Sequence, residues 1–311
     1  MSNYCLKTSL KAQCDENLLK LGEMRIYFPL LQSASLQQQS FALYVNEAMT
    51  LTAINGYFTD SSLTEQPGVT TKDITPNNYV DVIVSNGAVI SIPNKYAIVG
   101  ISMRGSGTPA STPNKYFNIE DLEFSENLTY LTLRYSNCFG DIHVLEGKSL
   151  ADVDFRDTRV KGEVSVLNGG TMRDIYFGAN CDVTLEKTLS NLPNLKTLSI
   201  ISDIAKVDIT KIPGITSLTS LILNGITAGG GKVYGNIASL APLKKLEVLN
   251  IYLNPNIEGN IEDMLNAMHN TYSRTSGTLT IRAGMTDIKY NGGTIPERVD
   301  VTFSAGGWSL S

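Results

Sequence analysis

The sequence LTYLTL at residues 128–133 decides the fold, because its pattern Leu-x-x-Leu-x-Leu returns five more times along the chain. It recurs as LADVDF at 150–155, MRDIYF at 172–177, LKTLSI at 195–200, LTSLIL at 218–223 and LEVLNI at 246–251. Successive copies begin 22, 22, 23, 23 and 28 residues apart. A motif that repeats at this nearly constant period predicts a solenoid, in which each repeat forms one coil stacked on the previous coil.

The second half of each six-residue motif alternates between apolar and polar side chains. This period of two indicates a β-strand with one buried face. Because a single strand cannot bury its apolar side alone, we expect the strands to stack in parallel and to align their apolar residues. The predicted ladder consists of Leu131, Val153, Ile175, Leu198, Leu221 and Leu249.

A second motif, Gly-x-Ile/Val, follows four of the strands. It occurs as Gly140-Asp-Ile142, Gly162-Glu-Val164, Gly235-Asn-Ile237 and Gly259-Asn-Ile261. We interpret the glycine as the turn off the strand and the branched residue as the return to the core. Together the two motifs resemble leucine-rich-repeat proteins that have a Gly-x-Ile turn in each unit. The resemblance implies a mainly β fold with short helices, in which a leucine-rich-repeat solenoid carries a parallel β-sheet face.

The repeats depart from this pattern in two ways. The units at Cys181 and Val207 lack the glycine, so we expect the side of the solenoid opposite the strands to be less regular there. The asparagine expected three residues after the last apolar strand position is present only at Asn180 and Asn254. Ser136, Thr158 and Asp203 replace it in three other units.

Composition excludes several functions. The 311-residue chain has a net charge of −5 and no basic stripe, so we expect no nucleic-acid partner. Its four cysteines, Cys5, Cys14, Cys138 and Cys181, are far apart and are not spaced with His143 or His269 as zinc ligands. We therefore predict no metal site and no cofactor. Charged residues interrupt the first 30 residues, and no segment is long and apolar enough to span a bilayer. We expect neither a signal peptide nor membrane insertion.

The chain divides into three predicted segments: an N-terminal arm at 1–22, a small all-β domain at 23–95, and the solenoid with its C-terminal cap at 96–311. In the arm, Asp15 is placed to cap a short helix that ends before Gly22. In the small β domain, strands are predicted at 24–28, 41–45, 49–54, 79–84 and 88–92, with a hairpin turn at 85–87. We expect this domain to cover the open end of the solenoid.

Less regular coils are predicted at both ends of the array. Ile98, Ile101 and Met103 form a candidate first coil, because a Pro-Asn-Lys-Tyr sequence precedes this segment and recurs at 113–116; chance similarity of two turns is the alternative. A helix is predicted at 261–270, and further coils at 278–281 and 299–303. Trp308 is the candidate residue for closing the C-terminal end.

Catalysis is not predicted. Asp152, Asp154 and Asp174 cluster on the predicted strand face, and paired carboxylates can hydrolyse glycosides. However, Arg134 and Arg156 fall in the adjacent column, which favours an ion-paired, solvated surface. Both histidines fall outside the strand face. A glycan-acting enzyme is therefore the weakest alternative.

The strand face is the candidate binding site. Its outward side chains form columns, and a rigid sheet holds them without a large entropic cost on binding. Exposed tyrosine, arginine and isoleucine are typical of interfaces, although an ordinary half-apolar surface is the alternative. The predicted site residues are Tyr130, Arg134, Asp152, Asp154, Arg156, Asp174, Tyr176, Ile201, Ile222, Asn250 and Tyr252.

A second resemblance concerns the whole chain. The run LKLGEMRI at 19–26, the strands after it, and NIEDL at 118–122 leading into Leu128 resemble leucine-rich-repeat proteins of gut Bacteroidales and their crAss-like phages. This resemblance implies a virion protein, either a capsid fibre or decoration subunit or a tail adhesin. It would attach to other virion proteins through residues 1–30 and the small β domain, assemble as a homo-oligomer, and present its face to a host surface protein or glycan. A cytoplasmic protein-interaction scaffold that uses the same face is the alternative.

Overall fold

The computed structural model describes residues 23–28, 38–59, 66, 68–85, 87–103, 117–134, 136–189, 192–228, 230–272, 280–282, 288–290, 293–294, 301–304 and 307–310. The predicted helix in the arm and the second Pro-Asn-Lys-Tyr sequence lie outside these residues. No helix within them is long and apolar enough to cross a membrane.

Most of the described chain consists of short strands. In chain order they are β1 Met24–Tyr27, β2 Gln38–Val45, β3 Met49–Asn55, β4 Thr71–Ile74, β5 Tyr79–Ser85, β6 Val89–Ile92, β7 Ile98–Ser102, β8 Tyr130–Thr132, β9 Phe139–Asp141, β10 Asp152–Phe155, β11 Arg159–Glu163, β12 Asp174–Phe177, β13 Asp182–Leu185, β14 Thr197–Ile201, β15 Lys206–Asp208, β16 Ser220–Asn224, β17 Lys232–Asn236, β18 Val248–Asn250, β19 Asn256–Asn260, β20 Thr280–Arg282, β21 Ile288–Tyr290, β22 Gly293–Thr294, β23 Val301–Ser304 and β24 Gly307–Leu310.

Helices are few and short. The 3₁₀ helices are η1 Lys95–Ala97, η2 Ile119–Leu122, η3 Ile142–Leu145, η4 Val164–Val166, η5 Ile209–Lys211 and η6 Ile237–Leu240. The α-helix predicted at 261–270 is confirmed as α1, Ile261–Asn270, and the Asn260 side chain accepts a hydrogen bond from the backbone N–H of Glu262 at its start.

The predicted ladder is confirmed by strand register. Strands β7, β8, β10, β12, β14, β16, β18 and β20 are parallel neighbours in a ten-stranded sheet. Ile101 of β7 pairs with Leu131, and the register then continues through the whole predicted ladder to Leu249. All of these ladder residues have no exposed surface. The chain is therefore a leucine-rich-repeat solenoid whose first coil contains Ile98, Ile101 and Met103, as predicted.

The side of the solenoid opposite the ladder forms a second sheet, of eight strands ordered β22-β21-β19-β17-β15-β13-β11-β9. Its strands are parallel except for the last pair, β21 and β22. The expectation of reduced regularity at Cys181 and Val207 is wrong, because β13 and β15 pair with each other and with both neighbours. Val183 and Leu185 of β13 and Val207 of β15 have no exposed surface, and their packing in the core keeps the strands aligned.

The Gly-x-Ile/Val motif has a different structural role from the predicted one. The glycines do not turn the chain off the first sheet; they lie in strands of the second sheet, with φ of +117° at Gly140 and +122° at Gly162. The residue after each glycine caps the following helix: Asp141 Oδ1 accepts from the N–H of His143 at 3.0 Å. The branched residue is buried, as predicted. The motif is thus the end of a strand and the start of a helix.

Hydroxyl side chains replace asparagine at the position that follows β8 and β10. Asn254 is buried and donates to the carbonyls of Leu223 at 2.5 Å and Ile251 at 3.2 Å. Ser136 and Thr158 donate in the same way to the carbonyl three residues earlier, at 2.6 and 2.8 Å. At these two positions the departure from asparagine is chemically conservative, because a buried carbonyl acquires a donor in each case. Asp203 differs, since its carboxylate accepts from the backbone N–H groups of Ile226 and Thr227.

The small β domain shares a sheet with the solenoid. Strand β7 pairs with β2, and β2 pairs with β5, both in antiparallel orientation, so the ten-stranded sheet begins at β5. The other strands form a sheet of order β1-β6-β3-β4, in which β4 is a strand that the sequence pattern did not reveal. The boundary at residue 95 stays a prediction, since the chain crosses it within a continuous buried core.

The predicted hairpin at 85–87 is wrong. A turn is present, with Gly87 at φ +78°, but β5 and β6 belong to different sheets and do not pair with each other. Val84 and Ile90 are both fully buried, so the two strands face one core from opposite sides. Burial of both strands favours this arrangement over a ladder between neighbours.

The C-terminal strands confirm one of the two remaining coil predictions and contradict the other. Strand β20 pairs in parallel with β18, which confirms a coil at 278–281. The coil predicted at 299–303 is wrong, because β23 pairs with β24 in antiparallel orientation and these two strands form a sheet of their own. An antiparallel pair of neighbouring strands reverses the chain direction and therefore does not continue the parallel stack. The packing of the Trp308 side chain lies outside the described part of the structure.

Candidate functional site

Outward side chains of the ten-stranded sheet form three rows that run across the strands. The first row is Tyr79, Tyr44, Gly100, Tyr130, Asp152, Asp174, Thr197, Ser220 and Val248. The second row is Thr132, Asp154, Tyr176, Ser199, Ile222 and Asn250, and the third contains Ile201 and Asn224 as direct partners. Arg134, Arg156 and Tyr252 follow β8, β10 and β18 in the chain.

The structure brings together three of the predicted site residues in the second and third rows. Arg156 donates two hydrogen bonds to Asp154, from Nε to Oδ1 at 2.9 Å and from a terminal nitrogen to Oδ2 at 2.6 Å. Its guanidinium carbon also lies 4.6 Å from the centre of the Tyr176 ring. A bidentate ion pair stacked on an aromatic ring holds the arginine in one orientation.

The sequence predicted that an arginine pairs with Asp152, but it did not identify the correct arginine. Its partner is Arg173, which donates to Oδ2 at 3.0 Å, rather than Arg134 or Arg156. Arg173 was not predicted as a site residue, because it precedes β12 and lies outside the alternating strand positions. The sequence also missed Asp157, whose φ is +60°. Burial raises the pKa of its carboxyl, against the opposing effect of Arg134 and Arg156.

Two tyrosines that the sequence analysis assigned to another domain extend the first row. The rings of Tyr44 and Tyr79 stack with centres 5.1 Å apart and planes 27° apart. Tyr130 meets Tyr79 edge-on, with centres 5.9 Å apart. We call these three residues the tyrosine platform. Tyr79 is 53 % exposed, although burial, followed by the phenols of Tyr130 and Tyr44, raises its pKa to about 12.

Gly100 makes room for the tyrosine platform. A Cβ at this position would lie 2.8 Å from the Tyr79 hydroxyl and 3.4 Å from the Tyr130 Cβ. The glycine of β7 therefore leaves a gap in the row, and the Tyr79 side chain extends over it from two strands away. A sequence signal existed, because Gly100 interrupts the apolar run Ile98, Val99 and Ile101, and glycine within a strand often marks close approach of other groups.

Within the described part of the chain, the side chains that could act in catalysis or bind a metal do not form one cluster. Among the described residues, no group of three or more His, Cys, Asp or Glu side chains is placed to hold a metal ion. Cys138 and Cys181 are buried, and burial raises the pKa of the Cys181 thiol to about 11. His143 lies in η3 behind the second sheet, with Nδ1 3.5 Å from Asp141 Oδ1. The described carboxylates of the strand face lie on an open sheet, and Asp152 and Asp154 are paired with arginines.

Comparisons with known proteins return leucine-rich-repeat structures. No family model and no curated protein sequence matches the chain. Among solved structures, internalin C2 from Listeria monocytogenes is similar at 19 % identity over 63 % of this chain and 82 % of its own, with a TM-score of 0.43. An internalin from the same species matches at 18 % identity over 63 % of each chain, with a TM-score of 0.32.

A plant protein is also similar. The leucine-rich-repeat ectodomain of the membrane receptor kinase GASSHO1/SCHENGEN3 from Arabidopsis thaliana, in complex with CASPARIAN STRIP INTEGRITY FACTOR 2, matches at 16 % identity. The match covers 61 % of this chain and 24 % of that one, with a TM-score of 0.41. The assignment of the chain to the leucine-rich-repeat solenoids rests on its own repeat period and strand register.

Proposed function

We propose that the chain is a non-enzymatic binding protein that presents the outer face of its ten-stranded sheet to a macromolecular partner. The observation that carries this proposal is the arrangement of Asp154, Arg156 and Tyr176, in which an arginine is fixed in one orientation on a rigid sheet. Its side chain retains 32 % of its exposure, so the guanidinium is accessible. A fixed arginine beside an aromatic ring is typical of residues that dominate binding energies.

Neighbouring side chains extend this surface. Ile222 and Asn250 lie in the second row two and three strands beyond Tyr176, and both are half-buried. Their backbones are held by parallel pairing on both sides, so binding orders little beyond side chains. We infer that the eleven predicted site residues contribute charged, aromatic and apolar groups to one binding surface.

We also propose where this binding takes place. The resemblance to proteins of crAss-like phages supports a capsid fibre, decoration or tail adhesin, with residues 1–30 and the small β domain attached to other virion proteins. In such an assembly, many copies of the chain project their solenoids, and a weak individual contact gains strength through multivalency. The partner is then a protein or glycan on the host surface.

The location is tested by quantitative mass spectrometry of purified phage particles from the source community. We expect the chain at tens or more copies per particle, which corresponds to a structural subunit. If the chain were found in cell lysate and not in the particles, the virion location would be overturned. The alternative of a cytoplasmic protein-interaction scaffold would then be favoured.

The binding face is tested with the purified full chain and intact Bacteroidales cells. We expect Tyr176→Ser to reduce the amount of chain retained on cells by about tenfold or more, as loss of a central aromatic residue does at other interfaces. Tyr234→Ser is the matched control, because Tyr234 is exposed on the second sheet. Equal retention of both variants and the wild type would exclude this face as the site.

A further inference from the structure

We propose that the first row of the ten-stranded sheet binds an extended, neutral polysaccharide, one sugar ring of which stacks on the tyrosine platform. This inference rests on the proposed function, because it names the ligand class of the same face.

The platform offers an aromatic surface rather than a cage. The Tyr79 ring centre lies 5.1 Å from that of Tyr44 and 5.9 Å from that of Tyr130, so Tyr79 contacts both rings and no ammonium group fits between it and either one. Tyr79 is 53 % exposed, so part of its side chain is accessible to a ligand. The negative face of an aromatic ring attracts groups of opposite polarity. The C–H groups on one side of a pyranose ring have that polarity and match that shape.

Hydrogen-bonding groups continue the row beyond the platform. Asp152 and Asp174 pair directly on β10 and β12, followed by Thr197 and Ser220 on the next two strands. Asp152 Oδ2 accepts from Arg173, whereas its Oδ1 has no hydrogen-bond partner among the described residues. A buried acceptor without a partner favours a ligand that supplies a donor, and sugar hydroxyls do so.

The spacing of the row fits a chain of sugars. Neighbouring strands lie about 4.8 Å apart, so the row presents one side chain at each such step. This step is close to the length of one residue in an extended β-1,4-linked glycan. The Tyr79 hydroxyl lies over Gly100. A hexasaccharide whose first sugar stacks there and which runs towards Ser220 places its six sugars over the six strands from β7 to β16.

Charge and polarity select the ligand class. Arg173 offsets the charge of Asp152 but not that of Asp174, so the pair of carboxylates keeps a net negative charge. This charge disfavours an acidic polysaccharide or nucleic acid. Between Asp152 and Ser220 the row contains no apolar side chain, whereas a protein partner is typically held by buried apolar or aromatic anchors at the centre of its interface. A neutral polysaccharide satisfies both the aromatic and the polar parts of the row.

The test is isothermal titration calorimetry of the full chain with cellohexaose, mannohexaose and chitohexaose, and with the acidic hexagalacturonate. We expect at least one neutral hexasaccharide to bind and hexagalacturonate to bind at least tenfold more weakly. Tyr79→Ala should weaken the binding of that ligand by about tenfold or more, because it removes the stacking surface. Tyr234→Ala, which removes an exposed tyrosine from the second sheet, should leave the affinity unchanged.

A second variant separates the polar row from the platform. Thr197→Val preserves side-chain size and removes a hydroxyl three strands beyond Tyr130, so it should weaken the hexasaccharide and not the corresponding trisaccharide bound at the platform. Circular dichroism confirms that each variant is folded. Absence of binding by every neutral hexasaccharide, or equal affinity of Tyr79→Ala and wild type, would overturn the inference. If Tyr176→Ser still reduced cell retention in that case, the proposed function would stand with a protein partner.

Discussion

Gly162 shows how one residue determines the geometry of a coil. Its φ of +122° is unfavourable for any side chain, and an added Cβ would lie 2.5 Å from Asp141 Oδ1 of the preceding coil. That oxygen caps η3 by accepting the N–H of His143. We expect Gly162→Ala to lower the free energy of unfolding by about 2–4 kcal/mol, from backbone strain together with the disturbed cap.

Urea denaturation followed by circular dichroism measures this loss. Gly170→Ala is the matched control, because an added Cβ there has no atom within 4 Å. We expect the control to stay within about 0.5 kcal/mol of wild type. A loss for Gly162→Ala no larger than that of the control would show that the second sheet accommodates a side chain at this position.

At the scale of the elements, the ladder of the ten-stranded sheet is the main source of stability. Leu198 of β14 has no exposed surface and pairs with Ile175 and Leu221 in register. Replacing a buried leucine by alanine costs about 2–5 kcal/mol, and an unpaired carboxylate costs more. We expect Leu198→Asp to abolish the cooperative thermal transition of the solenoid, as measured by circular dichroism.

The matched control places the same charge on the opposite face of the sheet. Ser220 of β16 points outward and is half-buried, so Ser220→Asp should fold and melt within a few degrees of wild type. A wild-type melting curve for Leu198→Asp would contradict the strand register that defines the ladder.

At the scale of the whole molecule, the core joins the small β domain to the solenoid. Buried side chains from Met24 to Met268 belong to one continuous cluster. Strand β2 connects the two parts, because it pairs with β5 on one side and with β7 on the other. We therefore expect differential scanning calorimetry of the full chain to show one main transition, in which the small β domain unfolds together with the adjacent coils.

A destabilising substitution in the small β domain tests whether it unfolds together with the solenoid. Leu43→Ala removes part of a fully buried side chain in β2, so it should shift the main transition to lower temperature. Two separate transitions, with only the smaller one shifted by this variant, would instead show that residues 23–95 fold as an independent domain.

The sequence alone determined the ladder, the parallel strand order and the position of α1. Leu131, Val153 and Ile175 recur at a fixed period and alternate with polar residues, and both properties are local in sequence. The outward residues follow from the same alternation, so the sequence also identified the candidate face between Tyr130 and Tyr252. Burial of one face of each strand leaves a single register, which is why these predictions were specific.

Only the tertiary structure decided what surrounds that face. Tyr44 and Tyr79 come to lie beside Tyr130 because β2 and β5 join the solenoid sheet in antiparallel orientation, across a separation of more than 50 residues between Tyr79 and Tyr130. The hairpin predicted at 85–87 would have kept β5 in a separate domain. A turn motif specifies local backbone geometry, whereas the choice between pairing two strands and facing them across a core depends on non-local burial.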